Sequence, residues 1–182
     1  VARAEEKKDA KPPEPPKAIV TQPLGIIVGR TNRLSLRGQR LKEATNVTIQ
    51  VPSNRSNLIS ATIRKREDAK VPDGLTAERA GDQLLELEFV VPADVPNSPP
   101  STLPKYEMVV AGTNGLSAPL PLPGFFAGQV VDEIEPNDGF KNAQLLTANQ
   151  WVRGNLEPAG DVDVFRYEAR AGDHLRLEVQ AE

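Results

Sequence analysis

Proline is the residue that most limits what this chain can fold into. The 182-residue sequence contains 17 prolines, roughly twice the usual share in proteins. Because proline inside a helix removes a backbone donor and costs about 3 kcal/mol, this proline content argues against long helices. No apolar run approaches the roughly 18 residues that a membrane-spanning helix needs. We therefore expect a chain of short strands with no transmembrane segment.

Between residues 18 and 122, apolar and polar residues alternate in short runs. Alternation with a period of two buries one face of a strand and leaves the other in water. Several such runs, separated by glycine, proline and asparagine, favour a β-sandwich. Its core must be aliphatic because aromatic residues make up 4% of the chain. The alternating apolar positions are Leu34, Leu36, Val47, Ile49, Val51, Ile59, Ala61, Ile63, Leu85, Leu87, Phe89, Tyr106, Met108, Val110, Leu116, Leu120 and Leu122.

The other segments suggest a division into domains. Residues 1–17 are charged and rich in proline, which predicts an extended spacer, with a ligand for a proline-recognition domain as the alternative. Residues 64–82 predict a polar loop that contains a Pro-Asp-Gly turn. Residues 123–131 predict a linker anchored by its two phenylalanines. Residues 132–182, where acidic side chains concentrate, predict a second domain.

The charge of the chain argues against nucleic-acid binding. The formal net charge is −3, whereas general nucleic-acid binders are strongly basic. One local basic group is open to two interpretations, a site for phosphate or a polyanion, or a solvated strand end that nearby acidic residues neutralise. This group consists of Arg64, Lys65, Arg66 and Lys70.

The residues that most catalytic sites require are scarce. The chain has no cysteine, which excludes disulfides, thiolate zinc sites and cysteine nucleophiles. A serine triad would have to use the single histidine, His174, and no G-x-S-x-G motif is present. Asp161 and Asp163 could form an acid–base pair for glycoside hydrolysis, but Trp151 is the only tryptophan to stack on a sugar. We predict no catalytic residues and no enzymatic activity within this chain.

Residues 132–140, DEIEPNDGF, are the most informative stretch. In an extended segment Glu133, Glu135 and Asn137 point to one side because side chains alternate, and Asp138 follows at a turn. Carboxylates this close repel one another unless a cation or water separates them. A set of oxygen ligands suits a hard cation, above all Ca²⁺, which takes 6–8 oxygens. The stretch therefore predicts a calcium site.

An EF-hand is excluded, because Gln144 stands where the twelfth-position bidentate glutamate is needed. A second acidic pair, Asp161 and Asp163, could complete a calcium site of another kind from a distant strand. The alternative is structural: the asparagine or aspartate before residues 139–146 caps a short helical segment there.

Residues 132–182 resemble the bacterial pre-peptidase C-terminal domain family. The resemblance implies a non-catalytic, jelly-roll-like β-sandwich attached to secreted bacterial enzymes and surface proteins, of which these residues would form the N-terminal part. It also implies that, in the calcium-binding members, the ligands correspond to Glu133, Glu135, Asn137 and Asp138, with Asp161 and Asp163 from the later strand. The residues that carry the resemblance are Glu135, Pro136, Asn137, Asp138, Gly154, the run GDVDVF at 160–165, Ala171 and Gly172.

Residues 18–122 resemble an immunoglobulin-like module of the IPT/TIG type. The resemblance implies an adhesive or spacer sandwich rather than a catalyst. The residues that carry it are Pro23, Leu24, Gly25, Gly29, Arg30, Thr31, the run LSLRG at 34–38, and residues 41–47.

Together these observations predict an all-β chain, an immunoglobulin-like β-sandwich followed by a partial jelly-roll-like β-sandwich. The predicted function is a non-catalytic binding and structural module of an exported bacterial protein, secreted or in the cell envelope, with Ca²⁺ stabilising the hinge between its domains. The alternative is an accessory region of a secreted peptidase or other hydrolase whose catalytic domain lies outside residues 1–182. A protein or polysaccharide partner, or a peptidase domain of the same polypeptide, is expected; no motif identifies it.

Overall fold

A computed structural model describes residues 13–51, 54–92 and 105–179, and its regular structure is nearly all β. The helical elements described are a four-residue helix α1 (Ala77–Ala80) and a 3₁₀ turn (Leu41–Glu43). None of the helices within the described ranges has the length and apolar character that a membrane crossing requires. The strands are β1 (Lys17–Gln22), β2 (Ile26–Val28), β3 (Thr31–Gln39), β4 (Ala44–Val51), β5 (Asn54–Asp68), β6 (Gln83–Val90), β7 (Lys105–Gly112), β8 (Gly115–Leu116), β9 (Leu120–Phe126), β10 (Val130–Asp132), β11 (Gln144–Leu146), β12 (Trp151–Arg153) and β13 (Phe165–Tyr167).

The first nine strands form one curled sheet that folds into a sandwich. Its strand order is β1-β3-β6-β5-β4-β7-β9-β2, with β8 paired to β7. The long strand β5 belongs to both layers, since it pairs with β4 up to Ala61 and with β6 from Thr62 onward. The orders β1-β3-β6-β5 and β4-β7-β9 are those of the two layers of an immunoglobulin sandwich. The predicted all-β sandwich is therefore confirmed.

The core lies between these two layers and is aliphatic, as predicted. Of the alternating positions, Ile59, Ile63 and Leu120 are half-buried against this core. Leu116 is exposed, because it lies on the short strand β8 at the side of the sheet. Val51 lies in a stretch whose side chains are not described. The buried core residues are Ile26, Val28, Leu34, Leu36, Leu41, Ala44, Val47, Ile49, Ala61, Leu85, Leu87, Phe89, Val91, Tyr106, Met108, Val110 and Leu122.

The strand β2 has no alternating pattern and is held by a buried side chain. The carboxamide of Asn32 accepts a hydrogen bond from the Ile27 amide at 2.7 Å and donates to the Ile27 carbonyl at 2.9 Å. It also donates to the Arg30 carbonyl at 3.0 Å. Asn32 thus takes the place of a strand partner for β2, whose other edge pairs in parallel with β9.

The predicted polar loop at 64–82 begins later than expected. Strand β5 continues to Asp68 because its basic side chains pair across the sheet, with Arg64 and Arg33 both bonded to Glu88 at 2.6 and 2.7 Å. This pairing favours the interpretation of a neutralised strand end over that of a phosphate site. The predicted turn is confirmed, with Gly74 at φ +82°.

The described residues around the predicted linkers pack more closely than a spacer would. Pro16 is buried, and Arg40 donates to the Pro15 carbonyl at 2.8 Å. Residues 123–126 belong to strand β9 rather than to a connector. Residues 1–12 of the predicted spacer lie outside the described residues, and the domain boundaries themselves stay predictions.

After β9 the chain forms two small parallel ladders, β10 with β12 and β11 with β13. The ring of Trp151, at the start of β12, lies 5.1 Å from the ring of Phe125 on β9 at a tilt of 55°. This contact links the last strand of the sandwich with the ladder that precedes the acidic residues. Residues 139–142 form a turn and are followed by β11, so the segment that the capping alternative would make helical is not a helix.

Candidate metal centre

The acidic stretch and the later aspartate pair are brought together by the backbone. The Val164 amide donates to the Asn137 carbonyl at 3.0 Å, and the Gln144 amide donates to the Val164 carbonyl at 3.1 Å. These bonds hold residues 160–164 beside residues 133–138, although more than twenty positions separate them in the sequence. The predicted approach of Asp161 and Asp163 to the acidic stretch is thus observed.

Five carboxylates meet at this junction in two overlapping groups. Oxygens of Glu133, Glu135 and Asp163 all lie within 4.8 Å of one another, and so do oxygens of Glu135, Asp138 and Asp161. Glu135 belongs to both groups. The structure therefore places each of the five predicted carboxylates in one of two groups that share Glu135, and within each group the oxygens are close enough for one cation to bridge.

Asn137 lies among them and is fully buried. Its side-chain nitrogen donates to Glu133 Oε1 at 3.2 Å, and its backbone amide donates to Glu135 Oε2 at 2.8 Å. Its Oδ1 atom is buried and has no hydrogen-bond partner. Buried polar atoms are nearly always paired, and leaving one unpaired costs about 1–3 kcal/mol. An oxygen in this state beside carboxylates is suited to coordinate a cation.

Two carboxylate oxygens are, like Asn137 Oδ1, buried without a hydrogen-bond partner. Oδ2 of Asp161 and Oδ1 of Asp163 are buried without a hydrogen-bond partner, while the other Asp161 oxygen accepts from the Val162 amide at 2.9 Å. Together with Asn137 Oδ1 they make three unpaired buried oxygens from two chain segments.

The carboxylates perturb one another strongly. The pKa of Asp163 is raised to about 6, first by its hydrogen bond with Glu133, then by burial and by the charges of Glu133, Asp161 and Glu135. The pKa of Glu133 is lowered, first by the Asn155 amide and then by its contacts with Asp163 and Asn137. A carboxyl that keeps a proton at mildly acidic pH because of like-charged neighbours marks a place where positive charge is favoured.

Glu133 is oriented by residues that the sequence interpretation did not assign to the site. Its Oε2 accepts from the Asn155 amide at 2.9 Å, and a Cβ at Gly154 would overlap with its carboxylate. The pair Gly154 and Asn155 directly follows β12, whose parallel pairing with β10 places it beside Glu133. Gly154 was singled out only as part of a family resemblance; a glycine after a strand gives no signal of its own.

The donor set contains oxygen only, from carboxylates and one amide. Such a set fits Ca²⁺, which prefers 6–8 oxygens at about 2.3–2.6 Å, and disfavours metals that select imidazole or thiolate. His174, the only histidine, is exposed. Searches with this chain find no matching protein-family model and no matching curated protein, so the two family resemblances stay predictions.

Proposed function

We propose that this chain is a non-catalytic structural and binding module whose residues 133–163 hold a calcium ion. The observation that carries the proposal is the buried, unpaired Oδ1 of Asn137 among five carboxylates from two segments. An acidic cluster alone can be a solvated surface. A buried amide oxygen without a partner, in contact through its own nitrogen with Glu133, is what a coordination shell would use.

The ion would act by joining two segments that otherwise repel. Glu133, Glu135 and Asp138 come from the stretch that follows β10, and Asp161 and Asp163 come from the stretch before β13. A divalent cation supplies the positive charge that lets all five ionise together. Because it binds the assembled arrangement and not the loose chain, it stabilises that arrangement by RT ln(1 + [L]/Kd).

The position of the site suits a hinge. The acidic stretch begins directly after β10, and β10 pairs with β12, whose Trp151 contacts Phe125 of the sandwich. Residues 133–138 with a bound ion would hold this junction in one arrangement. The setting in an exported bacterial protein rests on the resemblance of residues 132–182 to the pre-peptidase C-terminal family.

Isothermal titration of the full chain with CaCl₂ tests the proposal. We expect a saturable heat with about one ion per chain, and we expect Asp163→Asn to weaken the affinity at least tenfold, since it removes one ligand charge. Glu168→Gln is the matched control, because Glu168 is an exposed acid that lies outside both carboxylate groups. No heat with the parent chain, or equal weakening by both variants, would refute the site.

A further inference from the structure

Pro16, the residue before β1, packs into a space on the sandwich that a glycine leaves open. Its side chain is buried. A Cβ at Gly112, the last residue of β7, would lie 2.5 Å from Pro16 Cγ and 3.0 Å from Pro16 Cδ. Gly112 lies outside the region of positive φ, so its backbone does not require glycine. The space that glycine leaves at this position is instead taken by the proline ring.

Arg40 contacts the two residues that precede Pro16. Its Nε donates to the Pro15 carbonyl at 2.8 Å, and its Nη2 lies 3.3 Å from Glu14 Oε2. The backbone of Arg40 is left-handed, with φ at 56°, which is uncommon for a residue with a long side chain. Residues in such strained conformations cluster at sites that hold ligands, and this one holds the proline segment.

The turn between β7 and β8 forms the other side of this contact. Glu43 Oε2 accepts from Thr113 Oγ1 and from Asn114 Nδ2, both at 3.2 Å, so the turn is held without help from the prolines. A Cβ at Gly115 would lie 3.7 Å from Pro15 Cβ. The surface that receives the two prolines is therefore built by residues of the sandwich.

We propose that this surface, formed by Arg40, Gly112 and Gly115, is a binding site for an extended proline pair. The chain fills it with its own Pro15 and Pro16. Consecutive prolines keep the backbone extended before binding, because each ring fixes φ and restricts the residue before it. The site offers such a ligand a donor for a carbonyl and a cleft for a ring. The proposal does not depend on calcium binding.

This assignment gives a partner to the N-terminal prolines. Their composition is typical of a spacer or of a ligand for a proline-recognition domain. In the proposed arrangement the recognising domain is the sandwich of the same chain, and the segment before β1 is fastened to it at residues 15 and 16.

Hydrogen exchange of arginine side chains, measured by nuclear magnetic resonance on the full chain, tests the occupied site. The Arg40 Nε proton should exchange slowly with water because it is bonded to the Pro15 carbonyl. Gly112→Ala pushes against the Pro16 ring and should speed this exchange about tenfold. Adding Pro16→Ala removes both ring atoms that the new methyl group meets, so the double variant should exchange more slowly than Gly112→Ala alone.

The Arg37 Nε proton is the internal control, since it donates to the Ala80 carbonyl at 3.1 Å, and its exchange should be the same in all three chains. An Arg40 proton that exchanges as fast in the parent as in Gly112→Ala overturns the proposal. A double variant that exchanges as fast as Gly112→Ala does so too.

A peptide separates a proline-binding site from a simple continuation of β1. The probe is acetyl-PEPP-amide, the sequence of residues 13–16, added to the full chain that carries Pro15→Ala and Pro16→Ala. We expect the Arg40 Nε–H and Gly112 amide resonances to shift saturably at roughly millimolar peptide, the effective concentration against which a tethered segment competes. The control peptide acetyl-PEAA-amide should leave both resonances unchanged. No shift with the first peptide, or equal shifts with both, overturns the proposal.

Discussion

The regular structure described in residues 17–126 is mainly β-strand and that in residues 130–179 is four three-residue strands, and the two regions bury opposite kinds of side chain. The sandwich encloses seventeen hydrophobic residues in one cluster. In residues 130–179, all of which the structure describes, Asn137 is the only buried residue, and it is polar. The same secondary structure is thus held by an aliphatic core in the first region and by hydrogen bonds and charges in the second.

Because of this difference, the two regions are stable under different conditions. Hydrophobic burial at about 25 cal/mol per Å² requires no ligand and no particular pH. A group of carboxylates is unfavourable until a proton or a cation neutralises part of it. The second region should therefore respond to calcium, pH and partners, whereas the sandwich should respond to changes in its core.

A cavity in the sandwich core should give the largest effect on stability. Leu36→Ala removes a fully buried side chain from β3, and such truncations cost about 2–5 kcal/mol. Urea unfolding followed by far-ultraviolet circular dichroism measures the change. Leu116→Ala is the matched control, because Leu116 is 65% exposed and should change stability by less than about 0.5 kcal/mol. Equal losses in both variants would contradict a stable core in the first region.

Calcium should protect the second region and leave the first unchanged. At a free concentration about 100 times Kd, the ion stabilises the bound arrangement by about 2.7 kcal/mol, which corresponds to roughly hundredfold slower hydrogen exchange. We expect this slowing at the amides of Asn137, Asn155 and Val164, which bond within the site. The Leu36 and Leu85 amides are the internal controls. Equal slowing in both regions, or none in the second, would contradict the comparison.

The sandwich could be predicted from the sequence because alternation records burial directly. Leu85, Leu87 and Phe89 were expected on one face and are buried on β6. The strand β2 could not be predicted, because it is only three residues long and depends on Asn32, a polar residue that usually marks a loop. The extent of β5 was also missed, since its charged half is stabilised by cross-strand partners such as Glu88.

The acidic residues could be predicted as a group because their charges are close in sequence. The approach of Asp161 and Asp163 could only be proposed, since it depends on the backbone bond from Val164 to Asn137. The burial of Asn137 was not predicted at all. Asn137 could be predicted as an oxygen ligand, but the unpaired state of its buried oxygen depends on both segments being in place.

The pH dependence of calcium binding should give the smallest effect and the most specific one. The pKa of Asp163 is raised from its ordinary 3.8 to about 6, so the calcium-free folded chain loses stability as the pH rises from about 4 to about 6 and this carboxyl ionises among like charges. The pKa of Glu133 is lowered, so of these two neighbouring carboxyls Asp163 is the one that titrates near pH 6. A proton on Asp163 competes with the ion.

At about pH 5 roughly one tenth of Asp163 is ionised, so the Kd for calcium should be about tenfold higher than at about pH 7.5. Titration calorimetry at the two pH values measures both Kd values and so the ratio between them. Asp163→Asn should bind weakly at both values and lose most of the difference between them. A parent Kd that is the same at both values, or a variant that keeps the full ratio, would show that Asp163 does not face the ion.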